Sequence, residues 1–240
     1  MSVEHLPAAA DPHASDVRAI AGFVDTVEAL IAAWAAEVGA GLTALTSKPT
    51  GTAIDKLVRP TVEEWMGAAD PVAAGAGFVA NAGLLGPDRS YIAWWQGADL
   101  ERVDALANFS PSSMSRYVGA EWFRFPVATG LPHVTGPYVD FLCTDEYVCT
   151  FTHPVTVRGL ETIAGVVGAD VTVQSFERRT LAALRRIGPT AALVNQDGRA
   201  IAASALGASA GDLMVRDPGA AVYDAGRSFH IWTAASAQDA

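Results

Sequence analysis

Three consecutive antiparallel strands are predicted by residues 137–173, PYVDFLCTDEYVCTFTHPVTVRGLETIAGVVGADVTV. β-Branched and aromatic residues fill three runs, Pro137 to Thr144, Tyr147 to Val157 and Glu161 to Val173. Only two short turns separate these runs, Asp145-Glu146 and Arg158-Gly159. Because such short connections join neighbouring antiparallel strands, the segment predicts a meander.

Helical patterns flank the meander on both sides. Apolar residues spaced by three and four predict a long helix from Val17 to Leu45, capped by Ser15, and a second helix from Ile54 to Met66 in which Pro60 introduces a kink. A third helix is expected from Ser175 to Ile187, before Gly188-Pro189.

The remaining segments are interpreted as strands, loops and an arm. Strands are expected at Tyr91 to Gln96 and Leu100 to Leu106, and residues Ser112 to Thr135 are interpreted as an irregular functional loop with one short helix near Ser113 to Val118. The tail predicts a hairpin of residues 191–194 and 200–203 and a last strand near Phe229 to Thr233. Residues 1–14 are expected to form a loose arm.

Composition and charge exclude several classes of protein. Half of the 240 residues are hydrophobic and 18% are charged, which excludes general disorder. With 26 acidic and 16 basic residues the formal charge is −10, so direct binding of nucleic acid is not expected. We expect no membrane segment and no secretory signal, and the two cysteines are too few for a disulfide-built domain. The expected location is the cytoplasm.

Three short motifs match patterns found in catalytic or cofactor-binding sites, but the surrounding sequence does not support these functions. Gly207 to Gly211 matches the G-x-S-x-G of hydrolases around Ser209, yet no helix is predicted after it. Residues 75–80 match a dinucleotide-binding pattern without a preceding strand. Cys149 and His153 could form a nucleophilic pair, although a buried structural cysteine is the simpler interpretation. No histidine spacing typical of a metal site occurs, and no cofactor is expected.

A group of aromatic and acidic residues is more informative. Tyr138 and Asp140 are two positions apart and therefore share one face of a strand, while Asp170 interrupts an apolar strand. A buried carboxylate needs a hydrogen-bond donor or a bound cation. Alternatively, both aspartates lie in water at strand ends.

The order of these motifs resembles the Cache family, the PAS-like ligand-sensing domains found mostly in bacterial receptors. The resemblance covers most of residues 15–190 and is carried by four short motifs: Trp122-Phe123, Gly136-Pro137-Tyr138-Val139-Asp140, the 150–155 segment TFTHPV and the 165–171 segment GVVGADV. It implies an α+β fold with a five-stranded antiparallel sheet, a long N-terminal helix and a C-terminal hairpin extension.

The resemblance also implies which residues bind the ligand. In amino-acid-sensing members, an Arg two residues before the Trp holds the ligand carboxylate, and the Tyr, the Asp and the later Asp hold its ammonium group. That Arg position is Ala120 here, so the resemblance implies a small organic amine such as a polyamine or a biogenic amine. Arg116 or Arg124 could replace the missing guanidinium. The candidate ligand-binding residues are Trp122, Phe123, Tyr138, Asp140, Asp170, Tyr117 and Thr152.

These observations predict a stand-alone, non-enzymatic Cache sensor with a separate transcriptional regulator as its partner, and possible homodimers. The expected domain spans residues 15–190, and residues 191–240 add a hairpin and a strand to it. Three alternatives stay open: a sensor of amino acids or other small metabolites, a small hydrolase using Ser209 or Cys149, and a scaffold or dimerisation module whose pocket is filled by its own side chains.

Overall fold

The structure is a computed structural model that describes residues 11–103, 108–140 and 146–237. It divides into two compact units, one of residues 1–24 and 178–240 and one of residues 25–177. Each unit is described by itself below. The predicted domain boundaries at residues 15 and 190 stay a prediction, and most of the predicted arm, residues 1–10, lies outside the described residues.

Five helices occur in the described residues, and three of them follow the periodicity of the sequence. These three are α1 (Ala14–Ala44), α2 (Gly51–Met66) and α5 (Val173–Ile187). Ser15 lies inside the first turn of α1 and does not precede the helix as predicted. Thr50 caps α2, because its hydroxyl accepts a hydrogen bond from the backbone N–H of Ala53 at 3.2 Å.

The prediction of an irregular loop from Ser112 to Thr135 is wrong in part: the short helix near Ser113 to Val118 is present, but a second helix follows it. The segment contains two nine-residue helices, α3 (Pro111–Gly119) and α4 (Glu121–Thr129). Helices this short are marginal by themselves, and α4 also contains Pro126. Their stability comes from buried aromatic side chains, which sequence periodicity over nine residues does not reveal.

Helix α1 is long and apolar enough to cross a membrane by length and composition alone. A core helix passes the same test, and α1 buries one continuous stripe of large apolar side chains. The expectation that the chain lacks a membrane segment therefore stays a prediction. The buried members of the stripe are Ile20, Val24, Val27, Ile31, Trp34, Val38 and Leu42.

The unit of residues 25–177 contains an antiparallel six-stranded sheet, in which the first strand in sequence lies in the middle. The spatial order is β3-β2-β1-β6-β5-β4. The strands are β1 (Gly75–Ala80), β2 (Tyr91–Gln96), β3 (Glu101–Arg102), β4 (His133–Val139), β5 (Tyr147–Val155) and β6 (Gly165–Thr172).

The α+β fold class with a long N-terminal helix and an antiparallel sheet is confirmed. The three predicted meander strands are present, although β4 begins earlier than expected. The predicted strand from Leu100 to Leu106 is described only as the two residues of β3, and its last three residues lie outside the described part of the chain.

Strand β1 was not predicted, and it gives the sheet six strands where five were expected. Its sequence GAGFVA consists mostly of small residues with low strand propensity. All six of its residues are buried between β2 and β6. The dinucleotide-binding pattern at residues 75–80 is therefore a central antiparallel strand and has no helix following it directly.

The two faces of the sheet pack against different elements. Helix α2 covers the face that carries Tyr91, whose hydroxyl oxygen lies 3.1 Å from each carboxylate oxygen of Asp55. Helices α3 and α4 cover the opposite face and form one apolar cluster with it. The candidate site lies on this second face.

The unit of residues 1–24 and 178–240 contains two small sheets. A four-stranded sheet has the order β10-β11-β7-β8, and β12 pairs with β9. The predicted hairpin is β7 (Ala192–Asn195) with β8 (Ala200–Ala203), and the predicted last strand is β11 (Phe229–Trp232). Three additional short strands were not predicted: β9 (Met214–Arg216), β10 (Val222–Ala225) and β12 (Ala235–Ala237).

Candidate functional site

Two neighbouring rows of side chains cross the sheet and form the floor of the site. The strand register places the residues of each row side by side, so their side chains share the face below α3 and α4. The first row is Gln96, Gly75, Asp170, Thr150 and Thr135; the second row is Trp94, Gly77, Gly168, Thr152 and His133.

Glycines in both rows make room for one large side chain, the indole of Trp94. A Cβ at Gly77 would lie 2.8 Å from Trp94 Cε3, and a Cβ at Gly168 would lie 3.2 Å from Trp94 Cη2. A Cβ at Gly75 would lie 3.1 Å from both Trp94 Nε1 and Asp170 Oδ2. The indole therefore crosses from β2 over β1 to β6, and its N–H ends beside the Asp170 carboxylate.

Asp170 is almost completely buried, with 2% of its surface exposed, and has a short chain of hydroxyl partners. Thr150 Oγ1 donates a hydrogen bond to Asp170 Oδ1 at 2.6 Å, and the Tyr138 hydroxyl lies 2.7 Å from the same Thr150 oxygen. Trp94 Nε1 lies near the other carboxylate oxygen, Asp170 Oδ2, but does not meet the geometry of a hydrogen bond.

Burial raises the pKa of Asp170 to about 8, and the nearby charge of Asp140 acts in the same direction. The hydroxyl of Thr150 and the indole N–H of Trp94 oppose this change and lower the pKa. Asp140 is itself only 5% exposed. The site thus holds two buried acidic groups, of which Asp170 retains its proton at neutral pH.

Aromatic side chains of α3 and α4 close the site. Trp122 lies 5.9 Å from Trp94 between ring centroids, and Tyr117 is 1% exposed. Eight described residues enclose a cavity of about 10 Å³, which is room for one water molecule, and none of these eight is basic. They are Ile92, Trp94, Tyr117, Trp122, Tyr138, Asp140, Thr150 and Asp170.

Comparison with known proteins finds this architecture among receptors. The chain aligns with a methyl-accepting chemotaxis protein X at a TM-score of 0.61 and 16% identity, covering 92% of this chain and 94% of the other. It aligns with the ligand-binding domain of the Pseudomonas aeruginosa amino-acid chemoreceptor PctC, solved with GABA, at 0.59 and 12%, covering 92% and 94%. The ligand-binding domain of the Pseudomonas fluorescens chemoreceptor CtaA, solved with L-serine, aligns at 0.56 and 14%, covering 91% of each chain.

The chain has the fold of Cache-type ligand-binding domains. No protein-family model and no curated protein matches the sequence. At these identities the alignments establish the fold alone.

Within this Cache fold, five of the seven candidate residues line one cavity: Tyr117, Trp122, Tyr138, Asp140 and Asp170. Phe123 and Thr152 do not line it. Phe123 packs edge-on against Trp122 at 6.2 Å, and the Thr152 hydroxyl donates to the backbone oxygen of His133 at 3.0 Å. Their role in ligand binding stays a prediction, as it does for the other five.

Three lining residues were missed: Ile92, Trp94 and Thr150. Strand alternation places Thr150 on the same face as Thr152, and it places Trp94 on the same face as Ile92. The sequence alone does not show that β1 pairs with both β2 and β6. This pairing brings Trp94 next to Asp170.

Ala120 lies at the position where the Cache resemblance led us to expect a carboxylate-binding Arg. Ala120 precedes α4 and packs against the aromatic cluster. Arg116 and Arg124, the two possible replacements, are both exposed and do not line the cavity.

The residues of the hydrolase alternative do not form a catalytic arrangement in the described parts of the chain. Ser209 is exposed between β8 and β9, where its backbone N–H donates to Asp212 Oδ2 at 2.7 Å, and no helix follows it. Burial raises the pKa of the Cys149 thiol, which disfavours the nucleophilic thiolate. Cys149 and His153 lie four residues apart on an extended strand, so their Cα atoms are about 13 Å apart. Cys143 lies outside the described residues.

Proposed function

We propose that this chain is a non-enzymatic sensor domain that binds a small organic cation between Asp140, Asp170 and the aromatic side chains above them. The observation that carries the proposal is the pair of buried carboxylates inside an aromatic cavity whose eight described lining residues include no base. A guest ammonium group would supply a positive charge between them.

The chemistry of the walls fits an ammonium group. Two carboxylates provide charge-assisted hydrogen bonds, and the faces of Trp122 and Tyr138 provide cation–π contacts. A ligand carboxylate has no comparable partner, since Ala120 replaces the guanidinium. This contrast favours a simple amine over an α-amino acid.

Ligand entry requires the site to open. A cavity of about 10 Å³ cannot hold an organic amine, so binding must displace side chains. Tyr117 and Trp122 are carried by α3 and α4, which form the cover of the site. We infer that residues 111–129 move when ligand enters, and that this movement is the signal passed to a separate regulator.

An amino acid is the alternative ligand, and a specific observation favours it. Two of the chemoreceptor domains with this fold were solved with GABA and L-serine, each of which carries both an ammonium and a carboxylate group. In this alternative the ammonium group binds between the same two aspartates, and exposed Arg116 or Arg124 must turn inward to bind the ligand carboxylate.

The proposal also includes a cytoplasmic location and a possible homodimer.

The test is a comparison of butylamine, GABA, L-serine and butyrate by thermal shift and calorimetry. We expect butylamine to raise the melting temperature, because a ligand that binds the folded state stabilises it. Asp140→Asn and Asp170→Asn are expected to weaken butylamine binding by about 30-fold or more, the effect of removing one member of a buried charge pair. Exposed Asp88→Asn, the matched control, leaves the affinity unchanged.

Each outcome has a defined meaning. Binding of butylamine and not of butyrate supports the amine proposal, and Ala120→Arg is then expected to shift preference toward GABA. Tighter binding of GABA or L-serine than of butylamine by the unaltered chain supports the amino-acid alternative. If none of the four compounds binds, or if Asp140→Asn and Asp170→Asn bind butylamine normally, the site assignment is wrong.

A further inference from the structure

Thr150 is the central member of a chain of three hydrogen-bonding side chains in the wall of the cavity. It lies on β5 directly opposite Asp170 on β6. Its hydroxyl oxygen is 2.6 Å from Asp170 Oδ1 and 2.7 Å from the hydroxyl oxygen of Tyr138. Thr150 is 1% exposed, so these contacts are shielded from bulk water. The Cache resemblance assigns ligand contacts to Tyr138 and Asp170 but none to Thr150.

The number of protons on a hydroxyl group fixes the direction of this chain. Each hydroxyl has one proton to donate and lone pairs that accept. Because Thr150 donates its only proton to Asp170, the contact with Tyr138 forms as a hydrogen bond only if the Tyr138 hydroxyl donates to Thr150. The proton of Tyr138 is therefore directed at Thr150, and its oxygen can only accept hydrogen bonds from a guest in the cavity.

The second oxygen of Asp170 also determines what the site can bind. Since Oδ1 accepts from Thr150, a proton held by Asp170 is best placed on Oδ2, near the indole N–H of Trp94. The ionised carboxylate is the stronger acceptor of the two forms, so a guest ammonium group favours the ionised form. The hydroxyl of Thr150 acts in the same direction, because its hydrogen bond lowers the pKa of Asp170.

We propose that Thr150 is the positioning residue of the ammonium site: its hydroxyl accepts from Tyr138 and donates to Asp170, so that both of these side chains present acceptor oxygens to the guest. This inference rests on the proposed function, because the guest is the ammonium group bound between Asp140 and Asp170. When the ammonium group binds, the O–H bond of Asp170 breaks and its proton passes to the solvent. The guest keeps its own protons and its charge.

The experiment uses two substitutions that differ in the hydroxyl group. Thr150→Val removes the hydroxyl and keeps a β-branched side chain, whereas Thr150→Ser keeps the hydroxyl. Calorimetry measures the affinity for butylamine at pH 6, 7, 8 and 9. Butylamine keeps its charge throughout this range, since an alkylammonium group such as that of lysine has a pKa of about 10.4.

The expected result is a displaced pH profile. In the unaltered chain the affinity should rise with pH and level off above about pH 8, the pKa of Asp170, because the empty site must lose its proton. Thr150→Val should bind about ten-fold more weakly at pH 7, the difference between a charge-assisted and a neutral hydrogen bond. Its affinity should continue to rise at higher pH, because loss of the hydroxyl raises the pKa of Asp170, so the deficit shrinks toward pH 9. Thr150→Ser should stay within about three-fold of the unaltered chain.

A proton count gives a second measurement on the unaltered chain. Repeating the titration at pH 7 in two buffers with different enthalpies of ionisation should show the release of nearly one proton, because Asp170 still holds its proton at this pH. Three other titratable side chains line the cavity, Tyr117, Tyr138 and Asp140. They are the same in every Thr150 variant, so a difference between pH profiles belongs to the hydroxyl of Thr150.

Thr43→Val is the matched control. The Thr43 hydroxyl also donates one hydrogen bond, to the backbone oxygen of Gly39 at 2.7 Å, and accepts one, from the backbone N–H of Arg158 at 3.1 Å. Thr43 does not line the cavity, so its loss should leave the affinity and the pH profile unchanged. Urea denaturation shows which variants fold, and Thr150→Ala takes the place of Thr150→Val if the valine variant does not.

Each result either supports or overturns the inference. A hydroxyl-free variant with the affinity and pH profile of the unaltered chain overturns the positioning role and leaves the proposed amine site standing. So does a loss of affinity that is independent of pH or that Thr150→Ser shares, because it indicates packing alone. Absence of butylamine binding to the unaltered chain at all four pH values overturns this inference and the proposed function together.

Discussion

Replacing Asp170 by asparagine should remove most of the pH dependence of stability between pH 5 and 7. Burial raises the pKa of Asp170 to about 8 in the folded chain, from the ordinary value of 3.8. Between these two values the folded state retains a proton that the unfolded state has released. Unfolding therefore releases one proton, and the stability of the folded state falls as the pH rises.

The magnitude follows from the release of one proton. One proton changes the free energy of unfolding by about 1.4 kcal/mol per pH unit, so Asp170 alone removes about 2.5 kcal/mol between pH 5 and pH 7. The decrease ends above pH 8, where Asp170 is ionised in both states. The carboxamide introduced by Asp170→Asn keeps the shape of the protonated carboxyl group and cannot ionise, so this variant has no such slope.

Urea denaturation at pH 5, 6, 7 and 8 measures the effect directly. The quantity of interest is the difference in free energy of unfolding between Asp170→Asn and the unaltered chain, which should change steadily with pH in favour of the variant. Asp88→Asn, at an exposed position, serves as the control and should give a constant difference. If Asp170→Asn also gives a constant difference across this range, Asp170 is not a buried, proton-holding carboxyl and the electrostatic reasoning fails.

Two further predictions concern the surroundings of the site. Gly77→Ala should destabilise the chain by about 2–3 kcal/mol in urea denaturation, because its Cβ would overlap the backbone of β2 at Ala93 and Trp94 as well as the indole of Trp94. Gly22→Ala, in open space on α1, should instead stabilise the chain, and equal effects of the two substitutions would contradict the packing argument. Arg102→Met should destabilise the chain by about 2 kcal/mol in the same assay by breaking the 2.7 Å ion pair with Asp55, and Arg102→Lys should restore only part of this loss. Full recovery by lysine would show that the planar guanidinium is not required.

Much of the fold could be predicted because its elements follow regular patterns. The apolar stripe of α1, the strand from Tyr91 to Gln96 and the meander carry periodicities of 3.6 or 2 over enough residues to be recognised. Strand β1 carries no such signal, since Gly75 and Gly77 are small for a tertiary reason. They leave room for a tryptophan that belongs to a different strand.

The site could be predicted only in part for the same physical reason. Tyr138 and Asp140 are linked by alternation within one segment, and the Cache resemblance added Trp122 and Asp170. Trp94 reaches the site only because β1 separates β2 from β6, an arrangement that depends on long-range strand order.

The scaffold alternative requires a pocket whose polar groups are satisfied by the protein itself. Asp170 meets this requirement in part through Thr150. Three other groups in the same two rows do not: Trp94 Nε1, Gln96 Oε1 and Thr135 Oγ1 are buried without a hydrogen-bond partner in the described parts of the chain. Each such group is unfavourable by about 1–3 kcal/mol, and together with the two neighbouring buried acidic groups they concentrate an energetic penalty in one small region. A bound ammonium group would donate to acceptors such as these oxygen atoms and the Asp170 carboxyl group, whereas the Trp94 N–H is a donor and needs an acceptor atom.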